Sequence, residues 1–408
     1  MSWSKVGSQI DGTDEGDNLG TRCAISDDGT VIAFTARYAD GSGNNSTSAG
    51  EGYVYAFVDG AWTRRGTTLF ISGASDQLFS VALSGDGSRV AFGHRLSGSH
   101  DGRVDVWDWS GSSWSRVGGM GDMVGSDSGQ FGISLAFNTA GSRIVVGEIN
   151  FGSGNKGRIA AFELISNTWT QMGNRKTGGT NGDQFGRFVA INGSGNKMIG
   201  GGAGNEGTAK AFSWDGSSWT RMGSELTGST DSFGVSVSMD SSGDRIAISS
   251  KTGGTNSKGY TKIYDYDSGL DSWSLDATIN ALSTDLSNER AVSLNYDGDV
   301  IAISNTGNTG SGNVRVYQRS AGTWTKVGND ITGSDDAAFG FSVNLSKTTG
   351  EYVVIGAAKG DVGASGTGSV FVYQNTSLSE STEGGSFTVS GNGSFIVTGS
   401  GQFIASSY

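Results

Sequence analysis

Apolar and polar positions follow four rhythms in turn, and the same four rhythms return along the chain. The cleanest copy opens on Phe339-Gly340-Phe341-Ser342-Val343, turns at 346–350, continues as Tyr352-Val353-Val354-Ile355-Gly356-Ala357-Ala358 and ends on Gly368-Ser369-Val370-Phe371-Val372-Tyr373. The first rhythm follows Phe-Gly or its substitute, as in Phe131-Gly132-Ile133-Ser134-Leu135 and Phe233-Gly234-Val235-Ser236-Val237. The second is a nearly unbroken apolar run, seen also in Val31-Ile32-Ala33-Phe34 and Val300-Ile301-Ala302-Ile303. Such a run predicts a strand covered on both faces. The third alternates, as in Val104-Asp105-Val106-Trp107 and Val314-Arg315-Val316-Tyr317, which predicts one buried and one wetted face. The fourth carries a Trp and ends near a Gly, as in Trp114-Ser115-Arg116-Val117-Gly118. Burial is expected to fall from the second strand outward. Four-stranded sheets packed face to face around an axis have that gradient, so the pattern predicts an all-β propeller.

The Trp strand counts the blades. It recurs at Trp3, Trp62, Trp114, Trp169, Trp219, Trp273 and Trp324, with gaps of 59, 52, 55, 50, 54 and 51 residues. Seven copies are therefore expected over residues 1–375. The chain opens on a lone Trp strand at 3–6, and the last copy stops after its third strand at Tyr373. The phase predicts that 3–6 pairs with 370–373 as the outer strand of the last blade, removing two exposed edges together.

Turn lengths divide the two ends of the propeller. The first and second strands are joined by short turns at 26–29, 84–87, 138–141, 192–195, 240–243 and 295–298, with a longer one at 346–350. Longer segments join the second and third strands, at 37–51, 94–101, 148–156, 250–259 and 357–367, and join blade to blade, as at 66–77 and 173–184. In an up-and-down blade both long classes emerge on one face, where a rigid scaffold presents loops for binding. Tyr38, His94, Arg95, Asn150, Phe151 and Tyr260 fall on that face and suit stacking on a sugar ring with hydrogen bonds at its edge. The alternative for these residues is loops packing on one another.

After a polar linker at 376–384, a different repeat begins. Phe387, Phe395 and Phe403 recur at a step of eight residues in short alternating segments over 385–408. Strands that short cannot bury an apolar face alone. They are expected to mediate assembly or attachment, to other copies of the chain or to other structural proteins.

Composition narrows the partners. Seventy Gly and no Pro among 408 residues suit dense turns rather than helices. A net charge of −12 disfavours a phosphate backbone, so nucleic acid is not an expected partner. The single cysteine, Cys23, rules out an intramolecular disulfide and reads as a small buried thiol. No apolar run has the length of a membrane span, and no membrane insertion is expected. No signal-peptide pattern precedes Trp3, which already belongs to the repeat. The expectation is a chain that self-assembles into a particle from a cytoplasm, or one from which a leader has been removed.

The repeat resembles the FG-GAP repeat of integrin α-subunit-like seven-bladed propellers. Phe339-Gly340, the turn ending at Gly350, Val354-Ile355-Gly356-Ala357-Ala358 and Gly368-Ser369-Val370-Phe371-Val372-Tyr373 carry the likeness, with Ala358 where that family usually has Pro. Blade one has Leu19-Gly20, blade two Leu78-Phe79 and blade six Asn288-Glu289-Arg290 in place of Phe-Gly. The resemblance implies the fold, and in many members a calcium loop of alternating Asp after the first strand. Here the equivalent turns, such as Ser26-Asp27-Asp28-Gly29 and Asp240-Ser241-Ser242-Gly243, lack regularly spaced oxygens, so no metal site is carried over. Asp265-Tyr266-Asp267-Ser268-Gly269 reads as a turn.

A recurring acid lies two residues before the Phe or Leu of the first strand, at Asp17, Asp76, Asp183 and Asp231, but Gly129, Leu286 and Ala337 interrupt the series. Turn-holding is the expected role. No catalytic constellation, cofactor motif or metal set emerges. His94 and His100 share a loop with Asp101 but have no third histidine, and Gly-rich phosphate motifs match by chance in a chain this rich in Gly. Two readings of function follow. One is a non-enzymatic structural and recognition protein on the surface of a virus or phage particle, propeller outward and tail embedded. The other is a secreted or cell-surface microbial adhesin or lectin that binds glycans.

Overall fold

Each apolar run forms the second strand of a four-stranded antiparallel sheet, and seven such sheets make a seven-bladed β-propeller. The computed structural model describes residues 2–39, 49–69, 76–152, 154–204, 207–229, 231–255, 257–282, 284–285, 291–306, 311–358 and 366–378. Phe387, Phe395 and Phe403 lie outside the described residues, as does the Asn288-Glu289-Arg290 substitute in blade six. Helix is confined, among the described residues, to single turns at Ser97–His100 and Thr376–Leu378.

Burial follows the expected gradient. Val31–Ala36 and Val300–Asn305 are buried at every position, whereas the outer strands Ala61–Arg64 and Thr323–Lys326 are mostly exposed. The core lies between blades, where Phe131, Phe185, Phe233 and Phe339 have no exposed surface. Each of these rings opens a first strand and is followed by a Gly with φ between 87° and 93°. There the strand bulges against its partner, as between Phe131 and Leu135. The added residues re-aim the strand toward the axis.

A second glycine position joins neighbouring blades. Gly102, Gly157, Gly207 and Gly368, just before third strands, form parallel bridges to Phe131, Phe185, Phe233 and Leu19 of the next blade. A Cβ at Gly102 would run into the Phe131 backbone, and one at Gly368 into that of Leu19. Only a residue without a side chain lets the backbones come this close.

The outer rim is tied by tryptophan. Nε1 of Trp62, Trp114, Trp219 and Trp273 donates to the carbonyls of Val6, Arg65, Met172 and Met222 in the preceding blades at 2.7–2.9 Å. Trp324 donates instead to the Asp276 carboxylate, while Nε1 of Trp169 has no hydrogen-bond partner among the described residues. Trp3 takes part as well, donating to Val327 O at 3.0 Å. Its strand, Ser4–Lys5, pairs antiparallel with Ser369–Gln374 in the register Ser4 to Gln374, and Ile10–Asp11 pairs further along the same strand.

The blade-to-blade segments are more ordered than their sequence suggests. In blade three Lys176–Thr177 returns to pair with Arg158–Ile165, and in blade six Ile331–Ala337 pairs with Ser311–Ser320. Isolated bridges do the same job in blades one and two, between Gly52 and Leu69 and between Arg103 and Val124. The third strand is longer than the outer strand beside it, and the returning segment covers the ladder edge left over.

Around the axis the seven inner turns form a closed circuit of backbone hydrogen bonds. Asp27 N–H donates to Gly85 O, Gly85 to Thr139, Thr139 to Gly193, Gly193 to Ser241, Ser241 to Tyr296 and Tyr296 to Lys347, at 2.7–3.2 Å. Thr348 N–H closes the circuit on Asp27 O at 3.3 Å, the longer turn of blade seven supplying donor and acceptor from adjacent residues. Each turn is itself fixed by a side chain three residues before its Gly, or four in blade seven. Ser26 Oγ, Asn138 Oδ1, Asp240 Oδ1 and their counterparts accept from the N–H that starts the second strand.

Candidate functional site

The innermost strands line a central cavity of about 210 Å³. Its wall mixes apolar side chains such as Leu83, Leu135 and Val237 with polar ones, including Ser80, Ser134, Ser236, Ser342 and Asn138. Many of these side chains are already committed to the neighbouring blade. Ser80 Oγ donates to Gly132 O and Ser134 Oγ to Gly186 O, while Ser342 Oγ accepts from Cys23 N–H. Cys23 is buried, and burial pushes its thiol up to about 11, so it stays protonated.

At the inner-turn end the cavity meets Asp27, Tyr296 and Lys347. Lys347 Nζ donates to Ser293 Oγ at 3.1 Å and to Leu294 O at 2.7 Å. Burial pulls its ammonium down to about 8, against the nearby Asp27 carboxylate, and burial raises Asp27 in turn. Thr139 Oγ1 donates to the Tyr296 phenol oxygen, Oη, at 2.7 Å across the floor. These groups are engaged with one another, and they hold the turns that form the circuit.

At the opposite end, the long-loop face, cationic and aromatic side chains close the mouth. Arg22, on the first strand of blade one, lies over Phe79, Phe188 and Phe341, with 4.7, 5.6 and 5.2 Å from its guanidinium carbon to the ring centroids. It therefore touches blades two, four and seven from blade one. Arg37 and Arg95 also lie over Phe79, each at 5.0 Å. Gln77 Oε1 accepts from both, from Arg37 at 3.3 Å and from Arg95 at 3.0 and 2.6 Å. Arg37 stacks on Tyr38 as well, at 4.5 Å.

Of the six sequence-predicted ligand residues, Tyr38 and Arg95 meet at this mouth. Asn150 and Phe151 are half-buried on blade three, where Arg158 covers the Phe151 ring at 3.4 Å and Asn150 N–H donates to Gly129 O. His94 and Tyr260 are both buried. His94 ends a second strand that is buried at every position after Arg89. Tyr260 donates to Asp231 Oδ2 at 2.5 Å, and burial followed by this bond raises its phenol well above the usual range. Sequence reasoning missed Arg22 and Phe79, which read as ordinary first-strand positions. Their signal was a large residue at a place where other copies carry Ser or Ile.

The recurring acids act in the turns. The backbone carbonyls of Asp17, Asp76, Asp183 and Asp231 each accept from the loop after a second strand, and Asp76 also pairs with Arg103 at 3.4 Å. Among the described residues no three His, Cys, Asp or Glu side chains gather as a metal-ligand set.

No protein-family model matches the chain, and no curated protein matches it. Solved structures share its architecture. The crystal structure of RRP9 WD40 repeats superposes with a TM-score of 0.57 at 12% identity, covering 92% of this chain and all of that one. The structure of U3-55K gives 0.57 at 12% identity, covering 92% of this chain and 98% of that one. At that identity the likeness is one of fold.

Proposed function

We propose that the protein is a non-enzymatic structural and recognition element on the surface of a virus or phage particle, with its propeller outward and its C-terminal tail as the attachment. The observation that carries this reading is the place where the described chain leaves the propeller. The last strand, Ser369–Gln374, runs from the long-loop face toward the inner turns. There Asn375 N–H donates to Glu351 O at 2.9 Å, and Leu378 is buried beside Val353 and Phe371. The described chain thus ends opposite the arginine-rich mouth, so an attachment through the C-terminus and recognition at the mouth need not compete for one surface. The same scaffold supports the FG-GAP-like reading of the repeat, because Phe-Gly of one blade packs on the glycine before the third strand of its neighbour. A microbial surface adhesin would use the same polarity, and the stacked mouth is the feature that favours it.

The test compares the full chain with one ending at Leu378, which keeps the buried leucine. The shortened chain is expected to be a folded monomer by light scattering, while the full chain self-associates or binds a particle component. Burying one Phe contributes about 1.5–3 kcal/mol, so three per copy are ample for association. Identical monomeric masses, with no particle component binding the full chain alone, would mean the tail packs on its own propeller.

A further inference from the structure

The rim of blade five lacks the protection that the other rims carry. Its outer strand, Ser272–Asn280, is nine residues long, against four in blades one, two, three and six. Arg64, Arg116 and Lys326 stand on the outer strands of blades one, two and six, and Lys5 on that of blade seven. Blade four's outer strand matches blade five's in length but carries Arg221 and Glu225. Short strands and basic side chains are how a sheet edge refuses another chain. Ser272–Asn280 has neither, because its one charged residue, Asp276, is engaged by Arg319 and Trp324 of blade six. Along the same rim Leu270 is 75% exposed and Leu275 53%. The backbone is oriented to match. Tyr266 N–H donates to Asp244 O on the inner side, so Asp265 and Asp267 face the outer strand, opposite Ser274 and Ser272. The amides of Trp273 and Leu275 therefore point away from the sheet. After Leu275 the register shifts past Asp276, and this bulge ends the regular edge. Among the described residues no strand pairs beyond it.

We propose that the edge at Ser272–Leu275 receives a segment of residues 385–408 from a second copy of the chain as an added strand. The inference rests on the reading of the tail as the attachment, and it names the surface to which the tail attaches. Residues 384–408 hold no charged side chain, so tail and edge meet without the repulsion that a net charge of −12 sets between two copies elsewhere. The tail offers short alternating segments, around Phe387-Thr388-Val389, Phe395-Ile396-Val397 and Phe403-Ile404-Ala405, and the bulge leaves an edge of matching shortness. Main-chain hydrogen bonds to the outward amides supply affinity, and Leu270 and Leu275 give the Phe rings apolar surface to cover. Residues 379–384 extend to about 20 Å at most. Blade five lies two blades from the one that buries Leu378, each step about 10 Å or more and widest at the rim, so the first segment reaches a neighbour's rim rather than its own. Tyr266 lies beside the inner turn that Asp244 follows, so this pairing leaves the long-loop mouths of both copies open.

The experiment follows the mass of full-length chains by light scattering across concentration. The wild type is expected to self-associate. Leu275→Lys, with Leu270→Lys as a second variant, should weaken association about tenfold or more at an unchanged melting temperature. Thr170→Lys, on the outer strand of blade three, should leave it as it is. A full chain carrying Phe387→Ser, Phe395→Ser and Phe403→Ser should stay monomeric alone, yet pair one to one with the Leu275→Lys chain, since each supplies what the other lacks. Association that ignores both rim variants, or failure of the two defective chains to pair, would overturn the proposal while leaving the tail as an attachment to another surface. A monomeric wild type would overturn it as well, the tail then lying on its own copy, and a particle component bound by that monomer would keep the attachment reading alone.

Discussion

His94 shows how a side chain that looks functional is absorbed by the fold. Its ring is buried, and neither nitrogen makes a hydrogen bond to the described residues. Asp105 Oδ2 lies 3.4 Å from Nε2, but that carboxylate is engaged by Arg103 and Arg116. Burial, then the two guanidiniums, lowers the imidazole to about 3, so it is neutral and the short distance is not an ion pair. Unfolding frees it to titrate near its ordinary value of about 6.5. Between those values the unfolded chain binds the extra proton, so stability falls as pH drops through the window and is regained as pH rises. From pH 6 to 5, clear of most carboxylates, the wild type is expected to lose about 1 kcal/mol more than His94→Gln in urea unfolding. Equal slopes would mean that His94 is protonated in the fold. The position was readable from the repeat, since the last residue of the second strand is buried in other copies too, as at Glu148, Ser250 and Asn305.

At the scale of the element, the repeat is a set of contacts between blades. Gly102 and Gly60 share a φ of 82°, but a Cβ at Gly102 meets the Phe131 backbone while one at Gly60 meets nothing within 4 Å. Gly60→Ala should therefore cost about 1 kcal/mol, the strain of the left-handed region alone. Gly102→Ala should cost more than about 3 kcal/mol, because two backbones must also move apart. Thermal unfolding of the two variants separates these terms, and similar losses would deny the close approach its role. The N-terminal strand gives a second prediction. Removing residues 2–11 takes away the Trp3 bond to Val327 and both ladders to the last blade. The loss is expected to be about 3 kcal/mol or more, with a broader calorimetric transition. An unchanged sharp transition would show that the first blade and the last hold together without it.

For the whole molecule, the blade number and the strand order were legible because the Trp and the apolar run repeat with a fixed phase. The long-loop face was legible too, from turn lengths. What the sequence hid was the pairing of blade-to-blade segments with third strands, since Lys176–Thr177 carries no strand pattern and is ordered by the edge it covers. The mouth was half hidden for a similar reason. Arg22 and Phe188 lie 166 positions apart in sequence and meet only because blades one and four face each other across the axis.

The circuit of inner-turn bonds has a mechanical consequence. Its N–H groups all point the same way around the axis, each turn giving one bond and receiving one. Tension that spreads the inner turns is therefore carried as hoop stress, divided among seven links rather than borne by one blade. The described chain ends at this reinforced end, at Leu378, so under the proposed attachment a pull through the C-terminus would enter the molecule where it resists opening best. The same hoop sets a count: a chain short of one repeat leaves a donor and an acceptor facing each other across a gap, and a duplicated repeat has no place in the ring.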